Sequence, residues 1–361
     1  MDKLTRSPHR RIGNKERSKP PILGLSLRIL IITDAWHPQV NGVVRTYESL
    51  SRELTRLRHD VFILHGAALA SLPCPTYPEI RLALFPSHHV ALTFSAFQPD
   101  TVHIATEGPL GLAARQYCLR NGIGFTTSFH TKFPEYIHAR TKLPVSWSYK
   151  ALNWFHRPAA GTMVSTPSLR NDLRTYGFKN LHLWTRGVDT ELFAPRQEEW
   201  LTLPRPIWLY AGRMAVEKNV EAFLKLDLDG TKLLIGDGPQ LKYLKAKYPE
   251  AHFAGLCHGE KLARYYAAGD VLVFPSLTDT FGLVLLEALA SGLPVAAFPV
   301  TGPLDLISKR PLGSLHWDLA RAATNALSQR NVQACRNFAL TFSWTGSAGQ
   351  FVSGLAPNER I

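Results

Sequence analysis

Along this chain, short apolar runs alternate with longer stretches whose apolar residues return every three or four positions. The run "LRILIIT" at residues 27–33 is continuous and Ile-rich, which predicts a buried strand. A polar loop, "DAWHPQVNGV", follows with Pro38, Asn41 and Gly42. Val44, Tyr47, Leu50, Leu54 and Leu57 then recur at helical spacing, and "DVFILH" reads as the next strand. Strand, glycine loop, helix, strand is how a doubly wound α/β domain begins. "TVHIA" and "GFTTSFH" continue it as strands, with a helical stretch between them.

The pattern restarts at residue 206. "PIWLYAGR" predicts a strand, "VEKNVEAFLKL" opens a helix, and "TKLLIGDGP" is a strand ending in a Gly-rich turn. "EKLARYYAAGD" is a helix, and "VLVFPS" and "LPVAAFP" are strands. Between the halves, "FAPRQEEWLTLPRP" carries three prolines and mixed charge, as linkers do. The expected fold is α/β, with two Rossmann-like, doubly wound domains facing a cleft. The expected units are a basic, disordered tail at 1–27, a first domain at 28–196 and a linker at 197–205. A second domain at 206–330 and one or two amphipathic helices at 331–361 complete the chain. A mis-called start would equally explain the tail.

Charge sharpens this picture. The net charge is +13, and the first 27 residues hold seven Lys/Arg against two acids. Residues 28–196 hold eighteen against eleven, and residues 197–361 sixteen against fifteen. A basic first half suits an anionic partner such as nucleic acid, phosphate or a membrane surface, or is simply a solvated face. No nucleic-acid recognition motif accompanies it. A hydrophobic content of 45% against 19% charged residues excludes wholesale disorder. The four cysteines form no CxxC pair, which fits a reducing, cytoplasmic compartment. Residues 281–300 are apolar, but Glu287, two glycines and two prolines interrupt them, against the clean run of about 20 that a membrane span needs.

Several residues could carry chemistry. Gly42 lies where a strand-to-helix turn lets backbone N–H groups approach an anion, though a turn glycine can be only a turn. The G-x-G-x-x-G fingerprint is absent, which disfavours a dinucleotide dehydrogenase. Arg213 and Lys218 follow a strand's C-terminal end and could hold a diphosphate, or be solvated loop charges. His130 ends a strand of the first half and is either structural or catalytic. In "SLTDTFGLVLLEALASG", Thr278, Asp279 and Thr280 are N-cap types, so a helix should start near Phe281, Gly282 or Leu283. Asp279 would then stand at its positive end and Glu287 in its second turn, both near the cleft rim. The plainer alternative is that Asp279 caps and Glu287 pairs with a basic neighbour. An Asp-x-Asp at residues 226–230 falls on the sheet edge opposite to ligand sites, which argues against a catalytic metal there.

"TDAWHPQVNGVVR", "SFHTKFPEY", "RGVDTELFAP", "YAGRMAVEKN", "IGDGPQ", "FAGLCHGEKLARYYAAGDVLVFPS" and "TDTFGLVLLEALASGLPV" occur in order from about residue 28 to 305. This set resembles the retaining GT-B glycosyltransferases, the group 1 clan of glycogen synthase, sucrose synthase and bacterial lipid mannosyltransferases. Within it the chain is most similar to bacterial α-mannosyltransferases and diacylglycerol glycosyltransferases. The resemblance implies that Gly42 approaches the donor phosphates, and that Arg213 and Lys218 bind the diphosphate and stabilise its departure. It implies that His130 contacts the donor sugar, that Asp279 binds sugar hydroxyls and that Glu287 binds the ribose. Backbone N–H groups around Phe281, Gly282 and Leu283 would help hold the phosphate. No metal and no cofactor beyond the nucleotide sugar is expected. The clan's acid pair is Glu-x7-Glu, so Asp279 is one methylene short, and the region after Thr301 is compressed.

The function so implied is transfer of a hexose, with retention, from UDP-hexose or GDP-mannose to a membrane lipid such as diacylglycerol. A polysaccharide or other soluble acceptor, or a GT-B nucleotide-sugar epimerase, is the alternative. A non-catalytic binder is the third reading. Residues 129–157 interleave Lys132, Arg140, Lys142, Lys150 and Arg157 with Phe133, Tyr136, Trp147, Tyr149, Trp154 and Phe155. That pattern suits an anionic membrane surface, or a basic loop over packed aromatics. The expected place is the cytoplasm, peripheral on the inner face of the membrane.

Overall fold

The computed structural model describes residues 26–39, 41–74, 77–196, 201–308 and 310–357. The basic tail up to residue 25 and linker residues 197–200 lie outside the described residues. The first half contains β1 (Arg28–Thr33), β2 (Asp60–His65), β3 (Ser71–Cys74), β4 (Tyr77–Ala83), β5 (Thr101–Ile104), β6 (Thr126–Phe129), β7 (Gly161–Val164) and β8 (Leu181–Leu183). Between them run α1 (Gly42–Arg56), α2 (Pro86–Phe97), α3 (Pro109–Arg120), α4 (Phe133–Thr141), α5 (Val145–His156) and α6 (Pro167–Thr175). The second half has strands β9 (Ile207–Ala211), β10 (Thr231–Ile235), β11 (His252–Gly255), β12 (Val271–Phe274), β13 (Val295–Ala297) and β14 (Gly313–Leu315). Its helices are α7 (Val220–Leu224), α8 (Leu241–Lys247), α9 (Gly259–Ala268), α10 (Leu283–Ala290), α11 (Pro303–Ile307), α12 (Leu319–Ser328), α13 (Val332–Ala339) and α14 (Trp344–Gly354).

Two six-stranded sheets result, in the orders β2-β1-β5-β6-β7-β8 and β11-β10-β9-β12-β13-β14. Every pairing within them is parallel. A parallel sheet is covered on both faces, so its inner strands must be apolar throughout. β1 is buried from Ile29 to Thr33, and β9 over its whole length. β2 lies at the sheet's edge and alternates instead, leaving Phe62 exposed. β3 and β4 form an antiparallel hairpin. The compressed region after Thr301 still completes the second sheet, through α11, β14 and α12.

Two packing relations cross the boundaries expected from the sequence. Val188 and Phe193, assigned to the first domain, are buried in the second domain's core beside Tyr266, Leu285 and Ala339. The last segment is divided between the two cores. Cys335 and Ala339 of α13 belong to the second core, while Ala348 and Phe351 of α14 return to the first, against Ile29, Tyr47 and Trp184. Hydrogen bonds fasten this return: the Trp184 indole N–H donates to the Ser347 carbonyl at 3.1 Å, and the Thr185 N–H to Gln350 Oε1 at 2.8 Å. Phe351 is fully buried, so Phe351→Ala is expected to lower stability by about 3–5 kcal/mol. Denaturant unfolding measures this, and a loss below about 1 kcal/mol would mean that α14 is not part of the first core.

Candidate functional site

In a doubly wound sheet, ligands gather beyond the strand C-termini where the strand order reverses. That reversal falls between β1 and β5 in the first sheet and between β9 and β12 in the second. The Gly42 loop follows β1, Arg213 follows β9, and Asp279 follows β12. Gly42, Arg213, Lys218 and Asp279 therefore lie at the two reversal points, His130 follows β6 and Glu287 lies within α10, and the two edges are bonded to each other. Thr280 Oγ1 donates to the His130 carbonyl at 2.6 Å, and Ser165 Oγ to the Thr280 carbonyl at 3.0 Å. Lys132 Nζ reaches Thr301 Oγ1 at 3.0 Å and Asp172 Oδ2 at 3.1 Å.

Lys218 closes a short 3-10 turn after β9 and donates to Asp279 Oδ1 at 2.5 Å. Burial alone would pull the ammonium down, but Asp279 and Tyr136 outweigh it and hold Lys218 above the usual lysine value. The Tyr136 hydroxyl is pushed up to about 12, chiefly by burial, against the pull of Lys218. Tyr136 belongs to α4 of the first domain and Lys218 to the second, so this cluster also spans the cleft.

The caps expected for α10 are not used. The helix begins at Leu283, with Gly282 at its N-cap position in the left-handed region (φ 83°) and no side-chain cap. Asp279 is bonded to Lys218 and Thr280 to His130, so long-range partners have taken both cap types. Phe281 is buried in the second core. Gly42 is the first residue of α1, and open space adjoins the position a side chain would occupy. The Asn41 side chain accepts from the Val43 and Val44 N–H groups at 2.9 and 3.0 Å, so those donors are already engaged.

Glu287 is not at the cleft rim. It is 4% exposed, its Oε2 accepting from the Tyr266 hydroxyl at 2.9 Å and its Oε1 from Arg45 Nη2 of α1. An ionised carboxylate at that depth requires such partners. Glu287 raises the Arg45 pKa further against the effect of burial. The plainer sequence alternative, a basic neighbour, thus describes the contact, and the neighbour comes from the other domain.

His130 is held from both sides. Its Nε2 lies 2.9 Å from the Tyr47 hydroxyl and its Nδ1 3.3 Å from Arg186 Nη2. Burial, with Arg186, His103 and His156 nearby, keeps its pKa well below the usual histidine value, so the ring is neutral. The Asp-x-Asp at residues 226–230 lies between α7 and β10, at the N-terminal edge of β10. Sequence reasoning passed over Arg45, Arg186 and Tyr266, and took Tyr47 only for a helix face and Tyr136 only for the aromatic surface stretch. Arg45 and Arg186 stand inside two of the quoted motifs, "NGVVR" and "RGVD", where their charge was the available signal.

Two parallel-sheet α/β domains joined by polar contacts at their C-terminal edges have the GT-B architecture. The chain belongs to the glycosyltransferases of this class. Residues 40–192 match the Glycosyltransferase Family 4 model and residues 205–329 the Glycosyl transferases group 1 model. It is an enzyme that transfers a sugar from a nucleotide-sugar donor. A GDP-mannose-dependent alpha-mannosyltransferase from Mycobacterium tuberculosis is 29% identical over 354 residues, covering 88% of this chain and 93% of the relative. An alpha-monoglucosyldiacylglycerol synthase from Streptococcus pneumoniae is 28% identical over 346 residues, covering 83% and 78%. A solved sucrose-phosphate synthase from Thermosynechococcus elongatus superposes with a TM-score of 0.73 at 21% identity, over 90% of this chain and 96% of that one.

Proposed function

We propose that the enzyme moves a hexose from a nucleotide sugar to a membrane lipid, with retention at the anomeric carbon and without a metal. The observation that carries the donor side of this is the Lys218–Asp279 pair at the reversal point of the second sheet, on the loops that follow β9 and β12. A departing nucleoside diphosphate gains negative charge, and fixed cations aimed at it lower the barrier. Arg213 and Lys218 are the proposed phosphate ligands. Backbone N–H groups near Phe281, Gly282 and Leu283, and the open side of Gly42, complete the phosphate cradle. Asp279 and His130 face the sugar. Glu287 takes the ribose, whose hydroxyls replace Arg45 at its carboxylate.

The lipid acceptor rests on the first domain's surface and on one relative's name. Trp147 is 64% and Trp154 58% exposed, with Phe133, Ile137 and Leu143 also exposed along residues 133–154. Tyr149 and Phe155 are buried instead, so the aromatic stretch is divided between core and surface. Arg115 stacks on Trp154 at 4.0 Å, and the two line an open depression with Pro86, Pro109 and Leu112. Aromatics beside basic residues suit the boundary of an anionic bilayer. Among the described residues no helix is long and apolar enough to cross a membrane, so the proposed association is peripheral, on the cytoplasmic face. The relative from Streptococcus pneumoniae is named for diacylglycerol, and the one from Mycobacterium tuberculosis for GDP-mannose.

A thermal-shift series with UDP and GDP, then labelled UDP-hexose or GDP-mannose with diacylglycerol vesicles and chelator, tests the reading. The expected outcome is stabilisation by one nucleotide and labelled glycolipid in the presence of chelator. Vesicle binding should rise with anionic lipid and fall in Trp147→Ser/Trp154→Ser. Transfer only to soluble acceptors, or only with added divalent metal, would overturn the corresponding part. Conversion of the donor without acceptor would identify an epimerase.

A further inference from the structure

Beneath the cleft a chain of hydrogen bonds runs inward from Arg186. The guanidinium, 4% exposed, donates to the Trp184 carbonyl at 2.6 Å and reaches His130 Nδ1 at 3.3 Å. Arg186 also stacks on the Trp184 ring at 4.0 Å, and among the described residues no carboxylate pairs with it. From His130 Nε2 the chain continues to Tyr47 Oη at 2.9 Å, and from Tyr47 to Ser128 Oγ at 3.2 Å. Ser128 Oγ lies 2.9 Å from His103 Nε2, and His103 Nδ1 2.9 Å from Thr126 Oγ1, which donates to the Val102 carbonyl at 3.4 Å.

The ends of this chain fix its direction. A guanidinium can only donate, and a carbonyl can only accept. His130 Nδ1 must therefore carry the lone pair and Nε2 the proton. Tyr47 Oη, 2.9 Å from His103 Nε2 and 3.2 Å from Ser128 Oγ, then donates inward to one of them, and His103 Nδ1–H donates to Thr126, so His103 Nε2 is an acceptor whichever hydroxyl serves it. His103, buried and pushed down to about 3, is neutral, as this direction requires. A protonated Nδ1 on His130 would set two donors against each other in a buried site, which is costly.

We propose that Arg186 is a positioning residue for His130, fixing the imidazole as the neutral Nε2–H tautomer and holding its orientation at the cleft. The value of this for transfer rests on the reading of His130 as a donor-sugar neighbour. When the diphosphate departs, the anomeric carbon gains positive character, and an imidazolium beside it would oppose that charge. The groups facing His130 are Tyr47 of α1, His103 of β5, His156 of α5 and Arg186 after β8, with Thr280 of the second domain on its carbonyl. All the titratable groups among them are cations or neutral, so nothing there favours a second proton on the ring.

Long-range proton–nitrogen spectra of the labelled full chain, with His130 assigned from His130→Gln, read the tautomer directly. The expected wild-type signal has one proton, on Nε2, unchanged from about pH 5.5 to about pH 8. Arg186→Lys, which keeps a donor-only cation, should preserve it. Arg186→Met should give mixed tautomers and a His130 that titrates within that range. Transfer in Arg186→Met should fall about tenfold in kcat with donor KM within about threefold, and more steeply at acid pH. A wild-type Nδ1–H signal, or an Arg186→Met spectrum like wild type, overturns the proposal even where transfer is lost. A changed tautomer with unchanged transfer upholds the positioning and removes His130 from the donor site.

Discussion

Lys218→Met is expected to slow sugar transfer by about a hundred- to a thousandfold, the usual cost of losing one preorganised group aimed at a charge that develops in the transition state. The substitution keeps most of the aliphatic stem, so packing changes little. It does strip Asp279 of its partner, and that side chain is only 17% exposed. Breaking such a pair from one side costs about 3–5 kcal/mol, because a charge is left without compensation. Lost activity alone would then be ambiguous. The double variant Lys218→Met/Asp279→Asn resolves it, since the remaining group carries no charge. Its melting temperature should return most of the way to wild type while kcat stays low. If the double variant regains transfer, Lys218 serves only to neutralise Asp279. If the single variant keeps transfer within threefold of wild type, Lys218 is not a donor-phosphate ligand.

The second large effect is expected at Gly236, which bears no charge itself but packs against the residue before Arg213. Its φ is +131°, and an added Cβ would lie 2.0 Å from the carbonyl oxygen of Gly212. That contact joins the "GDG" turn after β10 to the loop bearing Arg213. The Gly212 N–H donates to the Ile235 carbonyl at 2.9 Å and the Met214 N–H to the Asp237 carbonyl at 2.8 Å. Backbone atoms cannot yield as a flexible side chain does, so Gly236→Ala must push the two turns apart. The expected cost is about 3–5 kcal/mol, or roughly 10 °C in the second domain's melting temperature. Donor KM should rise as well, since Arg213 moves with its loop. Calorimetry and donor kinetics check both, and a shift below about 2 °C would show that the turn can relax.

Much of the architecture could be read from periodicity because parallel strands buried on both faces leave continuous apolar runs, as in "LRILIIT" and "VLVFPS". The cleft residues were legible for a related reason: they sit just past those runs, where such sheets place ligands. What was lost depended on partners far away in sequence. Thr278, Asp279 and Thr280 look like caps to any local rule, yet Lys218 and His130 claim two of them across the fold. The rim position expected for Glu287 follows from local spacing alone, whereas Arg45, 242 positions away, is what makes its burial tolerable. Trp184 and Phe351, 4.9 Å apart between ring centres, show the same limit, since neither run predicts the other.

That last contact governs the order in which the protein can be made. The first domain's core includes Ala348 and Phe351, so it is assembled from two segments separated by the whole second domain. A ribosome that has finished β8 has not yet supplied the helix that closes the sheet around Trp184. The second domain can complete its core first, although it is synthesised later, and the amino-terminal domain must wait with an open apolar face until residue 351 has emerged. The order of synthesis is thus the reverse of the order in which the two cores can be completed.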